Sequence, residues 1–133
     1  MPGHGIRLLA LDGGGVRGLS SLMMLQQLMA AANRESPPKP CDYFDMIGGT
    51  STGGFIAIML GRLQMTIDEC IDAYTLLFGA RDEACGRFSA SQLEQVAKQI
   101  VRSSGFDQDT LLRDSPHASC KVYVYSNSPG DAY

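Results

Sequence analysis

The 133-residue chain has no run of lysine or arginine, and its formal net charge is −3. Phosphate recognition needs clustered basic side chains, so nucleic acid is excluded as a partner. Cys41, Cys70, Cys85 and Cys120 form no Cys-x-x-Cys pair, and His4 and His117 are the only histidines. That set lacks the ligand spacing of a zinc site, and no metal is expected. Unpaired thiols fit a reducing compartment. Met1 to Arg7 contains no basic segment followed by an apolar core and a small-residue cleavage site, so it has none of the design of a signal peptide. The longest apolar run, Phe55 to Leu60, is far too short to cross a bilayer. Together these absences lead to the expectation of a cytoplasmic protein without a transmembrane segment.

What is present is enough apolar material, 44% of residues, for the core of a single domain. Fifteen glycines are many, and they gather at 13–18 and 48–54. Such clusters mark backbone that must come close to something. The seven methionines are read as core gap-fillers.

Residues Ile6 to Leu11 read as a strand whose near-continuous apolarity suits burial on both faces of a parallel sheet. From Val16 to Ala32, Leu19, Leu22, Met23, Leu25, Leu28 and Met29 recur at three- and four-residue spacing, an amphipathic helix. Pro37, Pro38 and Pro40 predict an extended linker. Tyr43 to Gly48 is expected as a second strand and Thr52 to Leu63 as a central helix, apolar nearly all round. Thr66-x-x-Glu69 is a capping box opening a helix over Ile67 to Phe78. Gly79 to Arg87 reads as a polar loop. Ser91-x-x-Glu94 is a second candidate box, for a helix reaching about Ser103. Phe106 to Ser119 reads as irregular, Lys121 to Tyr125 as a third, alternating strand, and Ser126 to Tyr133 as a frayed end. This order gives an α/β layout with a parallel sheet. Three strands make a thin sheet.

The second glycine cluster contains Gly49-Thr50-Ser51-Thr52-Gly53 between a strand and a helix. A serine there is forced into a tight strand-to-helix turn that presents its hydroxyl, the geometry a nucleophile needs. The same letters also fit a loop capping a helix through Thr50 or Ser51. The first cluster, Asp12-Gly13-Gly14-Gly15-Val16-Arg17-Gly18, follows a strand and opens a helix. It matches Gly-x-Gly-x-x-Gly, but no acidic residue ends a second strand about 20 residues on, as a dinucleotide site requires. No Gly-Lys-Ser/Thr follows it. Read instead as an oxyanion hole, it offers bare backbone N–H groups to the charge that builds when Ser51 attacks an ester.

With both clusters in hand, the chain resembles the patatin-like phospholipase family, in particular its fungal members. The resemblance is carried by Asp12 to Gly18 together with Gly49 to Gly53. It implies a three-layer α/β/α fold with a mainly parallel sheet, hydrolysis of phospholipid or neutral-lipid esters, and a Ser–Asp dyad. By that resemblance Ser51 is the nucleophile, Gly13, Gly14 and Gly15 form the oxyanion hole, and Arg17, Gly18, Gly49 and Gly53 support the loop and elbow. It implies no cofactor. The expected partner is a lipid ester, with a peripheral membrane surface as the place of action.

The family's dyad aspartate sits in a late Asp-Gly motif, and no Asp-Gly follows Ser51. The later aspartates are Asp68, Asp72, Asp82, Asp107, Asp109, Asp114 and Asp131, and Asp131 stands in the reverse order, Gly130-Asp131. His117 precedes a strand, whereas the histidine of a nucleophile-elbow hydrolase follows one. The expectation is one domain over residues 1–133, its core at 6–80, truncated on the C-terminal side and lacking the dyad aspartate, with impaired activity. Two other readings stay open. One is a non-catalytic module that keeps the cleft for lipid or protein, and the other is a nucleotide-binding domain.

Overall fold

Three parallel strands, β1 (Leu8–Leu11), β2 (Met46–Thr50) and β3 (Lys121–Tyr125), lie side by side in that order. The computed structural model describes residues 5–14, 17–78, 90–107 and 117–125. The register pairs Leu9 with Ile47 and Val122, and Leu11 with Gly49 and Val124. The architecture is α/β, as the sequence indicates. Parallel strands place all their carboxyl ends on one rim of the sheet, where α/β folds put their ligand sites.

At the opposite rim Asp45 ties the three strands together. Its carboxylate accepts the Arg7 N–H at 2.8 Å. Its own N–H donates to the Arg7 carbonyl at 2.9 Å, and its carbonyl accepts from Lys121 at 2.9 Å.

Helix α1 (Arg17–Ala32) turns Gly18, Leu22, Leu25 and Met29 inward, the three- and four-residue spacing seen in the sequence. It packs on α4 (Ile67–Phe78). The start of α4 is fixed by Thr66, whose Oγ1 accepts the Glu69 N–H at 3.2 Å and donates to the Glu69 carboxylate at 3.1 Å. Cys70 on α4 is fully buried, and burial pushes its thiol up to about 12. Helix α5 (Ala90–Ser103) carries an exposed Lys98–Glu94 pair at 2.8 Å, which holds the Glu94 carboxyl below its ordinary value.

Several local expectations shift. Pro40–Tyr43 is a short helix, α2, with proline in its first turn, where a missing N–H costs nothing. The second strand therefore begins at Met46, three residues later than expected. Its Ile-Gly-Gly-Thr run has little strand propensity, so the apolar residues before it attracted the expectation. The central helix is α3 (Thr52–Ala57) continued by a π-helical turn, Ile58–Arg62. The Leu63 N–H donates to the Ile58 carbonyl at 3.0 Å, and Gln64 follows at φ 55°. Ser91 lies within α5, one residue after its first described position.

Helix α3 covers the face of the sheet that carries Leu11, Ile47 and Val122. On the other face, Leu8, Met46 and Tyr123 are 63%, 40% and 61% exposed. Among the described residues, β1 is thus covered on one face, not two. The Leu-Leu-Ala-Leu run has no alternation from which the covered face could be read. The expected polar loop at 79–87, most of the irregular stretch between Phe106 and Ser119, and the end at 126–133 lie outside the described residues.

Candidate active site

Ser51 joins β2 to α3 with φ 54° and ψ −127°. This is backbone space that glycine enters freely and other residues enter at a cost of about 1–3 kcal/mol. The neighbours enforce it. A Cβ on Gly49 would overlap the Gly53 carbonyl, and one on Gly53 would overlap the Leu11 carbonyl oxygen. The chain can fold back this tightly only because both positions are bare. The Gly54 N–H closes the turn on the Ser51 carbonyl at 3.0 Å. Ser51 is exposed, and its hydroxyl makes no capping bond to α3. Thr50 belongs to the strand. Neither residue does what the helix-capping reading requires.

The first glycine cluster meets this elbow directly. A Cβ on Gly13 would overlap the Thr50 carbonyl and stand 2.5 Å from Ser51 Cβ and 2.8 Å from the Thr52 nitrogen. Gly14 adopts φ 142°, open to glycine alone, and its N–H donates to Thr52 Oγ1 at 3.1 Å. Its carbonyl accepts the Arg17 N–H at 3.0 Å, and the Arg17 side chain runs back over Gly14 from an exposed position. Gly18 is bare because the Tyr74 ring of α4 packs onto it. Gly15 lies outside the described residues.

Gly13, Gly14, Ser51 and Thr52 are therefore brought together at one rim of the sheet. The backbone N–H of Thr52, in the first turn of α3, has no partner within the helix. An exposed hydroxyl beside such an N–H can attack a carbonyl and have the resulting oxyanion held in part by it. Thr52 was not singled out in the sequence; inside Gly-x-Ser-x-Gly a threonine reads only as a helix-start residue.

Of the described carboxylates, Asp12 directly precedes Gly13 at the carboxyl end of β1, on the same rim as Ser51. Asp45 is bound at the far rim. Asp68 Oδ1 accepts from Gln26 Nε2 at 2.7 Å, and Asp72 is exposed on α4. Asp107 follows α5. Asp82, Asp109, Asp114 and Asp131 lie outside the described residues. His117 precedes β3, whose first residue pairs with Met46, the first residue of β2. It thus stands at the rim opposite Ser51, where it lines a cavity of about 270 Å³ with Arg62, Gln64 and Ser119. Among the described residues, no three His, Cys, Asp or Glu side chains gather as a metal site, and no helix is long and apolar enough to cross a membrane.

Residues 9–117 match the family model described as patatin-like phospholipase. The chain belongs to the patatin-like phospholipase family. It is 40% identical to a phospholipase A I of Arabidopsis thaliana over 124 residues, which cover 90% of this chain and 9% of that protein. It is 45% identical to a human calcium-independent phospholipase A2-gamma over 76 residues, covering 56% of this chain and 9% of that one. A patatin-like protein 1 from Oryza sativa subsp. indica shares 49% identity over 61 residues, 44% of this chain and 15% of that protein. The chain thus spans a small part of the length of these relatives. No solved structure matches it.

Proposed function

We propose that this chain carries the nucleophile and oxyanion loop of an acyl-lipid hydrolase acting on phospholipid or neutral-lipid esters. The observation that carries the reading is the strained, exposed Ser51 packed against Gly13. Strain of this kind persists where surrounding structure over-determines it, and it clusters at reactive sites. In this reading Ser51 Oγ attacks the ester carbonyl while its proton passes to a general base. The tetrahedral oxyanion is held by backbone N–H groups of the glycine loop and elbow. The alcohol leaves with a proton, and water then releases the fatty acid from Ser51. No metal or organic cofactor takes part. Without a base a serine hydroxyl is a weak nucleophile, and such help is worth roughly 10²–10⁴-fold.

The base is proposed to lie outside residues 1–133. Asp45 and His117 stand at the rim opposite the elbow, which supports this. The substrate ester is expected at a peripheral membrane surface.

The test is labelling with a serine-reactive fluorophosphonate in the native, full-length protein, mapped by mass spectrometry. Ser51 should carry the label and Ser51→Ala should lose it. No label on Ser51, or equal labelling of the variant, would sink the assignment. The 133-residue chain itself should turn over p-nitrophenyl esters weakly or not at all. Saturable acyl-chain binding with no labelling would instead favour a non-catalytic module.

A further inference from the structure

We infer that Thr52 is a positioning residue, whose hydroxyl sets the register of the glycine loop against the nucleophile. The inference rests on the reading of Ser51 as nucleophile only for its kinetic half. Three facts carry it. The Gly14 N–H donates to Thr52 Oγ1 at 3.1 Å, joining two segments 38 residues apart. Gly14 is held at φ 142°, a conformation with no side chain of its own to fix it. Thr52 is the residue directly after Ser51, so whatever the bond fixes is fixed relative to the attacking oxygen.

The bond also changes what Gly14 can do. A donor engaged by Thr52 Oγ1 is not aimed at an incoming carbonyl. Gly14 therefore acts as the anchor of the loop, and the oxyanion falls to neighbouring N–H groups that the anchor aligns. The Thr52 backbone nitrogen lies 2.8 Å from where a Gly13 Cβ would stand, beside that loop. One residue thus meets the loop in two places: its hydroxyl holds Gly14, and its backbone nitrogen lies against Gly13. A small displacement of such donors is costly, since a misplacement near 1 Å can lower rates on the order of 100-fold.

The experiment compares Thr52→Val, which keeps the shape and removes the hydroxyl, with Thr52→Ser, which restores it. Protein labelled with 15N-glycine reports the Gly14 amide by hydrogen exchange. Full-length native protein reports the fluorophosphonate labelling rate at Ser51. The expected result is a protected Gly14 amide in the parent and in Thr52→Ser, and loss of protection in Thr52→Val. Labelling should slow roughly 10–100-fold in Thr52→Val and recover in Thr52→Ser. Thermal unfolding checks that both variants fold. An unprotected Gly14 amide in the parent would overturn the inference. So would unchanged or faster labelling in Thr52→Val, the latter meaning that the hydroxyl competes with the oxyanion for the Gly14 N–H. A protected amide that follows the hydroxyl, with Ser51 unlabelled in every form, would leave the anchor standing and defeat the nucleophile assignment instead.

Discussion

Gly13 and Ser51 meet with no room for a methyl group between them: a Cβ on Gly13 would lie 2.5 Å from Ser51 Cβ and would overlap the Thr50 carbonyl oxygen. Neither obstacle can move aside cheaply, because one is backbone and the other is pinned by its own strained turn. Gly13→Ala should therefore push the loop off the elbow. We expect a stability loss of about 1–3 kcal/mol, the usual cost of overpacking. Ser51 labelling should fall on the order of 100-fold. Chemical denaturation and fluorophosphonate kinetics measure the two effects. A variant as stable and as reactive as the parent would show that the two segments do not touch as described.

The Ser51 backbone leads to a second expectation. At φ 54° and ψ −127° a serine is held where glycine rests without strain. Ser51→Gly should remove that strain at a smaller cost in unfolded-chain entropy, for a net gain of about 1 kcal/mol. Ser51→Ala keeps the Cβ and should gain nothing. Both variants lose the hydroxyl, so both should be unreactive. Equal midpoints for the two in urea would argue that the turn is not strained.

How far the sequence reaches depends on what kind of physics fixes each element. Helix α4 was legible to its last residue because Thr66 and Glu69 write its start in local chemistry. Strand β3 was legible because Lys-Val-Tyr-Val-Tyr alternates. The π-helical turn was not, since Ile58 to Leu60 are apolar on every side and leave no stripe whose period could slip. Helix α2 hid behind its own proline, a residue that suits a linker and a first helical turn equally well. At the site, Ser51 and Gly13 stood out because glycine clusters signal close approach. Thr52 did not, because its role depends on a contact 38 residues away.

His117 provides a control on the far rim. Parallel pairing of Lys121 with Met46 sets it at the opposite end of the strands from Ser51. His117→Ala should leave the labelling rate of Ser51 within about twofold, as expected for a substitution with no part in the chemistry. A fall of 100-fold or more would make it a base and break the topology argument.

Cys70 makes stability fall in alkali. Burial raises its thiol from 9.0 to about 12 in the folded state. The folded protein then holds a proton that the unfolded chain releases, so the contribution is complete below pH 9 and is lost as pH rises toward 12. The slope in that window is about 1.4 kcal/mol per pH unit for one group. Urea unfolding at a series of pH values should show it in the parent and lack it in Cys70→Ala. The variant will be less stable throughout, so the difference in slope, not in level, is decisive. Parallel curves would mean that the thiol is not buried as described.

The tightest test of packing between the central helix and the sheet is the pair Gly61 and Val122. A Cβ on Gly61 would overlap Val122 Cγ2 while staying 3.7 Å from Val122 Cβ. The clash is thus with one methyl group of a stiff, β-branched side chain. Gly61→Ala alone should cost about 1–3 kcal/mol. Val122→Ala removes the offending methyl and leaves a gap beside Gly61, with its own cost of about 1–3 kcal/mol. Combining the two fills that gap with the new methyl, so the double variant should be more stable than the sum of the singles by about 1 kcal/mol, within the range found for residues in contact. A double-mutant cycle in urea measures that coupling directly. Additive costs would mean that the π-helical turn does not rest on β3, and the placement of α3 against the sheet, on which the Ser51 elbow depends, would have to be redrawn.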